Sequence, residues 1–132
     1  MTYCRLVETA SVSSSVAPCR PSVHRVCQLV AVAVAAAFAL PLTELRAPTR
    51  RSRNAAFARQ IAMYLAHVGF GLSFTQVGCG FGRDRTTAAH ACKAIEALRD
   101  DPGLDRMLDA LEHACRMSAD AISAEPLQEA RQ

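Results

Sequence analysis

Bulky aromatic residues are scarce in this sequence. Its 132 residues include two tyrosines, five phenylalanines and no tryptophan. β-Branched residues are also few outside residues 23–34, whereas alanine is abundant. Sheets favour aromatic and β-branched residues, and helices favour alanine. The composition therefore predicts an all-α fold, with room for only a modest core.

The cysteines follow no zinc or disulfide pattern. No two of them are separated by only two residues, and their spacings match no zinc template. Three lie within helical apolar patterns, where a free cysteine behaves as a small hydrophobe. We interpret the cysteines as reduced thiols in a cytosol and expect no metal and no cofactor. The six are Cys4, Cys19, Cys27, Cys79, Cys92 and Cys115.

No apolar run is long enough to span a bilayer. The strongest one, residues 26–40, ends at Pro41, and a membrane helix needs about 20 apolar residues. A signal-peptide core has this length, but the run begins well inside the chain and no domain with paired cysteines follows it. We favour a buried helix over residues 23–39, capped by Ser22, and expect no membrane partner.

Catalytic motifs are absent too. No GxxxxGK[ST] phosphate loop occurs in these residues. The cysteines and histidines form no pattern of nucleophile and base, and no pair of carboxylates is placed to share a pocket. We therefore expect a protein that is not an enzyme.

Charge is distributed unevenly along the chain. Residues 46–99 hold nine basic residues, all arginine except Lys93, against only Asp84 and Glu96. Residues 100–132 hold eight acidic residues against three arginines. Arginine binds phosphate and guanine edges through two parallel hydrogen bonds. The asymmetry indicates a polyanion such as double-stranded DNA as partner, although a solvated basic face would have the same composition.

A basic loop and a long helix open the positive region. Residues 46–53 carry four arginines, and Pro48 interrupts any helical period. Apolar residues then recur at three- and four-residue steps, which predicts a helix over residues 54–68. Asn54 would cap it, with Arg59 and Gln60 on the side opposite the apolar face.

A helix-turn-helix follows. Residues 73–82 open with a serine cap and contain three glycines, which predicts a short helix and a sharp turn. A longer helix then starts near Arg83. Its inward side is predicted as Ala88, Ala91, Cys92, Ile95 and Leu98, and its outward side as Arg85, Thr86, Ala89, His90 and Lys93.

The rest of the chain completes a small helical bundle. Together with a short turn of helix at 41–45 and an amphipathic helix at 104–117, we expect about five to six helices. The division predicted is a disordered segment 1–21, a DNA-binding domain 22–117 and an acidic flexible tail 118–132.

The start of the longer helix has the chemistry of a base reader. Helix N-termini attract phosphate, and the first side chains of a recognition helix reach base edges in the major groove. Arginine pairs with guanine, and threonine offers a hydroxyl and a methyl group. Asp84 and Thr86 could serve as helix caps as well, and His90 could be an ordinary surface histidine.

The arginine loop suggests a second contact. Narrow A·T-rich minor grooves attract inserted arginine. A loop with four arginines beside a recognition helix could enter such a groove, or serve as an unspecific electrostatic arm.

Three segments resemble the C-terminal DNA-binding domain of the bacterial replication initiator DnaA. They are "RRSR" at 50–53, "ARQIAMYLAH" at 58–67 and "SFTQVGCGFGRDRTTAAHACKAIEAL" at 73–98. The resemblance extends to residues 22–117 through the apolar helix and "PLTEL". Two departures lie at the reading edge: Arg85 replaces the family's histidine, and Gly82 stands alone where the family has a glycine pair.

The resemblance implies a role for each DNA-contacting residue. Arg51 would enter the minor groove of a short A·T-rich box, and Asp84, Arg85 and Thr86 would read bases in the major groove. Arg59 and Gln60 would contact DNA from the long helix, while Thr75, Thr87, His90 and Lys93 would hold its backbone. The predicted DNA-binding set is Arg50, Arg51, Arg53, Arg59, Gln60, Thr75, Arg83, Asp84, Arg85, Thr86, Thr87, His90 and Lys93.

Two functions follow from these observations. The first is sequence-specific binding of double-stranded DNA at initiator-like boxes, modulating replication initiation or transcription from the cytoplasm at the nucleoid. Other replication or transcription proteins are possible partners. The second is a protein-interaction module that kept the helix-turn-helix fold but lost specific DNA reading, with the apolar helix and acidic tail facing its partner.

Overall fold

Six helices make up the part of the chain that the structure describes. The computed structural model describes residues 20–46 and 52–131, with side chains described as far as 121. Those ranges contain helices and connecting segments and no strand, which confirms the all-α prediction. Residues 1–19 of the predicted disordered segment and most of the basic loop, with Arg50 and Arg51, lie outside them, whereas Arg20 and Pro21 are ordered at the start of the first helix. The helices are α1 Pro21–Ala37, α2 Leu42–Leu45, α3 Arg53–Phe70, α4 Phe74–Phe81, α5 Arg85–Leu98 and α6 Pro102–Arg131.

The first helix begins with a proline. Pro21 occupies the first turn, where its missing N–H costs nothing, and the N-cap is Arg20 without a side-chain cap bond. The prediction of Ser22 as the cap is therefore wrong. The helix buries its valine and alanine face in the core but leaves Val32 about half exposed, so it is less fully buried than its composition suggests.

The third helix is the centre of the bundle. It packs against all five other helices. Its N-cap is Ser52, whose hydroxyl accepts a hydrogen bond from Ala55 N at 3.0 Å. The cap is therefore Ser52 and not Asn54. Because neighbours surround it, α3 is buried on nearly every side. Its buried residues are Ala55, Ala58, Arg59, Ile61, Ala62, Met63, Tyr64, Leu65, Ala66 and Gly69.

The last helix is longer than predicted. It begins at Pro102, inside the expected turn, and continues past 117 to Arg131. Leu108, Leu111 and Cys115 are buried against the core, as their spacing predicts. The helical end at 117 is wrong, while the division of the chain into segment, domain and tail stays a prediction.

Cysteine oxidation differs from the prediction at one position. Cys27, Cys92 and Cys115 are free and buried, and burial raises the pKa of all three thiols. Cys79 is disulfide-bonded. The interpretation of the cysteines as reduced thiols is therefore wrong for Cys79, and a disulfide is uncommon in cytosolic proteins.

Within 20–46 and 52–131, none of the helices combines the length and the apolar character that a bilayer-spanning segment requires.

Candidate nucleic-acid interface

A tight glycine turn joins α4 to α5. Ser73 and Gln76 form a reciprocal capping box at the start of α4, and Gly82 ends it in the left-handed conformation, with φ of 69°. Arg83 N donates to Gly78 O at 2.8 Å. A side chain at Gly78 would collide with the backbone, since a Cβ there would lie 2.7 Å from Arg83 O. The turn therefore packs the end of α4 closely against the start of α5.

The helix that follows is capped by Asp84. Its Oδ1 accepts a hydrogen bond from Thr87 N at 2.8 Å, and this bond is the main cause that lowers the pKa of Asp84. The helix starts at Arg85, so Arg83 belongs to the turn and not to the first helical residues. The capping role considered for Asp84 is thus present, and it commits one carboxylate oxygen while the side chain stays exposed.

One face of α5 is open to solvent. Ala88, Ala91, Cys92 and Ile95 are buried, which confirms the predicted stripe except at Leu98, which is 46% exposed. Ala89 is half-buried beside the outward residues. The exposed residues of this face are Arg85, Thr86, Thr87, His90 and Lys93.

A depression of about 330 Å³ lies between α3 and α5, next to this face. Arg59 and Gln60 from α3, Arg83 from the turn, and Thr87 and His90 from α5 line it together. These side chains come from three separate segments of the sequence, and all belong to the predicted DNA-binding set. Donors of this kind suit phosphate oxygens.

Arg59 lines this depression but is otherwise buried. It is 8% exposed, and its Nε donates to Leu45 O at 2.8 Å. The side of α3 opposite the predicted apolar face is therefore covered at Arg59 and not open to solvent. Gln60 is half-buried. Contact of either residue with DNA stays a prediction.

Two further predicted residues are exposed but do not line the depression. Arg53 is exposed at the first position of α3, and Thr75 is exposed in the first turn of α4. Arg50 and Arg51 lie outside the described residues, so the structure does not bear on the predicted minor-groove contact.

Two features of this region were missed in the sequence. A second depression, of about 400 Å³, lies on the other side of His90 and Lys93. It is lined in part by His67 and Phe74, whose rings stack with centroids 4.3 Å apart. Arg46 contacts Gly80, 34 residues away in the sequence. Neither feature has a sequence signal, because each depends on how separate helices meet.

In the described ranges, no group of three or more histidine, cysteine, aspartate or glutamate side chains could hold a metal ion. The donors at the interface are arginine, threonine, glutamine and histidine, which suit an anionic ligand.

Together, the capped short helix, the left-handed glycine and the exposed longer helix define a helix-turn-helix protein, a class of DNA-binding fold. The profile of the bacterial dnaA protein helix-turn-helix matches residues 27–95. That match covers more than half of the sequence, and the chain belongs to this family.

Curated relatives are chromosomal replication initiator proteins named DnaA. The one from Acinetobacter baumannii is 46% identical over 70 residues, which is 52% of this chain and 15% of the relative. The one from Laribacter hongkongensis is 44% identical over 69 residues, 51% of this chain and 14% of the relative. The chain thus spans about 15% of the length of the relatives it matches.

Proposed function

We propose that this chain binds double-stranded DNA sequence-specifically at short A·T-rich boxes like those implied by the DnaA resemblance. Bound there, it modulates replication initiation or transcription at the nucleoid in the cytoplasm. Base contacts come from the start of α5, and backbone contacts come from the residues around the depression beside it.

The observation that carries the proposal is the combination at the start of α5. Arg85, Thr86 and Thr87 are exposed on its first turn, where the helix dipole favours negative charge. Beside them, Arg83 and His90 line the 330 Å³ depression. Base-reading and phosphate-holding groups therefore lie side by side, as docking of a recognition helix requires.

The arginine loop supplies the second contact in this proposal. Arg51 enters the minor groove adjoining the major groove that α5 reads. Support comes from Arg53, the last arginine of the loop segment, which is exposed at the start of α3. Shape and potential of the narrow minor groove then add specificity at base pairs that α5 does not touch.

The test is a titration of fluorescently labelled duplex with the full chain at fixed salt. One duplex carries an initiator-like box and the other a scrambled sequence of equal composition. Arg51→Ala and Arg85→Ala should each weaken box binding by ~1–3 kcal/mol if they contact bases. Arg106→Ala, an exposed arginine on α6, removes the same charge far along the chain and should leave affinity unchanged.

Selection of bound duplexes from a random library would then define the target. Unchanged box affinity in both Arg51→Ala and Arg85→Ala would refute the assigned contacts. Equal binding of box and scrambled duplex by the unaltered chain would favour the alternative, a protein-interaction module. The half-exposed Val32 on α1 offers that alternative an apolar contact.

A further inference from the structure

The first residue of the basic loop, Arg46, is tied to the helix-turn-helix. Arg46 ends α2, and its backbone N–H donates to Leu42 O at 3.0 Å. Its guanidinium reaches across the bundle, where Nη2 donates to Gly80 O at 3.2 Å. Gly80 belongs to the last turn of α4, so this bond joins the start of the loop to the first helix of the helix-turn-helix.

The accepting carbonyl is one that the helix leaves without an intrahelical partner. The last four carbonyls of any helix have no donor within it. At the end of α4, Cys79 O accepts from Gly82 N at 3.3 Å and Gly78 O accepts from Arg83 N at 2.8 Å. Gly80 O accepts from Arg46 instead. A guanidinium there also interacts favourably with the negative end of the helix dipole.

Arg59 holds the same stretch of chain from the opposite side. Its Nε donates to Leu45 O at 2.8 Å, and its Nη2 lies 3.4 Å from Glu44 O. Leu45 itself is buried in the core. At the far end of the loop, Ser52 caps α3. The described residues at both ends of the loop, Arg46 and Ser52, are therefore hydrogen-bonded within the bundle, and Arg59 lies about two turns of α3 beyond that cap.

We propose that Arg46 and Arg59 are positioning residues, which set where the basic loop leaves the helix-turn-helix so that loop and α5 engage adjacent grooves as one unit. This inference rests on the proposed function. It gives Arg59, which also lines the depression, a structural role at the carbonyls of residues 44 and 45, and it gives a role to Arg46, which the predicted DNA-binding set leaves out.

The first arm of the test needs no DNA. Arg46→Met keeps the aliphatic stem and removes the donors, and Arg25→Met makes the same change at an exposed site on α1. Hydrogen exchange at the Leu45 and Arg46 amides should become about tenfold faster in Arg46→Met, as expected for losing a hydrogen bond from a charged group. It should not change in Arg25→Met. Unchanged exchange in Arg46→Met would overturn the clamp.

The second arm is a double-mutant cycle on box DNA. Arg46→Met should weaken binding about tenfold in the unaltered chain. In an Arg51→Ala background it should weaken binding less than about twofold, because the loop has then already lost the DNA contact that Arg46 positions. If the fold-decreases in box affinity caused by Arg46→Met and Arg51→Ala multiply in the double variant, Arg46 contacts DNA independently of the loop, and the inference is overturned.

Arg59→Met is the companion variant. Arg59 is buried, so the change should lower stability, and its binding is compared only if circular dichroism shows a native helical signal. It should then speed exchange at the Leu45 amide as Arg46→Met does; the half-buried Arg46 decides the outcome if Arg59→Met does not fold. A chain that does not distinguish box from scrambled duplex would refute the proposed function, whereas unchanged exchange refutes the clamp, so the two failures are told apart.

Discussion

Gly78 lies where α4 meets the backbone that leads into α5. A Cβ at this position would be 2.7 Å from Arg83 O and 3.0 Å from Asp84 C. Both neighbours are backbone atoms, which cannot rotate away as a side chain could. The spacing between the two helices of the helix-turn-helix therefore depends on the absence of a single methyl group.

Gly78→Ala should destabilise the protein despite the better helix propensity of alanine. Propensity favours alanine by ~1 kcal/mol, but forcing extra volume into a packed site costs about 1–3 kcal/mol. We expect a net loss of about 1 kcal/mol in the free energy of unfolding, measured by urea denaturation. Box affinity should also fall, because α5 must shift away from α4.

Gly103→Ala is the matched control for this change. A Cβ at Gly103 would meet only Asp101 Oδ2, at 3.5 Å, which is an ordinary contact. That variant should be neutral or more stable by up to about 1 kcal/mol. A Gly78→Ala protein as stable as the Gly103→Ala protein would show that the turn is not close-packed.

At the scale of the element, the two ends of α5 have different tasks. Its N-terminal end carries the exposed arginine and threonines, and its C-terminal end is fastened to the bundle by Arg99. Arg99 Nη1 donates to the Tyr64 hydroxyl at 3.0 Å, and Nε donates to Asp105 Oδ1 at 2.6 Å. Nη2 reaches Asp109 Oδ1 at 2.7 Å. One guanidinium thus joins α5 to α3 and α6.

Arg99→Met should loosen that fastening. Hydrogen bonds from charged groups contribute ~1.5–3 kcal/mol, but both aspartates are substantially exposed, which reduces their share. We expect a loss of about 1–2 kcal/mol in unfolding free energy, mostly from the Tyr64 contact. Urea denaturation at low and high salt measures it, and the loss should shrink with added salt.

The exposed Arg106 supplies the comparison for this prediction. Arg106→Met removes the same charge from α6 and should change stability by less than about 0.5 kcal/mol. If both variants lose equal stability, the effect is one of net charge, and the Arg99 contacts contribute nothing specific.

At the scale of the whole molecule, α3 organises the core and the other five helices pack around it. Two thiols take part in this packing. Burial raises the pKa of Cys27 and of Cys92 from 9.0 to about 11. Since the unfolded chain loses these protons first, stability is fully present below pH 9 and falls as pH rises towards 11.

Alkaline pH should therefore destabilise the protein. At pH 10, each thiol should account for about 1 kcal/mol of lost unfolding free energy relative to pH 7.5. Urea denaturation at the two pH values measures the loss. Cys92→Ala should lower overall stability. The loss of unfolding free energy between pH 7.5 and pH 10 that is due to these two thiols should, however, be about half as large in this variant. An unchanged difference in that variant would mean that other groups are responsible.

Local patterns predicted most of the helices and the outward face of α5. The apolar steps of α3 and the serine cap of α4 were sufficient for this, because capping and periodicity are properties of neighbouring residues. These local patterns failed where contacts with other helices, and not neighbouring residues in the sequence, determine whether a side chain is buried. On an isolated helix Arg59 would lie opposite the apolar face, yet other helices surround α3 on nearly every side, so its polar side is covered at Arg59 as well.

By itself the sequence determined the helical class, the capped start of α5 and the concentration of arginine in the middle of the chain, since each depends on residue type and spacing. Only the tertiary structure decided that Gln60, Arg83 and His90 share one depression. It also decided that Arg46 meets Gly80 O. Such contacts join residues far apart in the chain, and their distances are set by how helices pack, which no local pattern records.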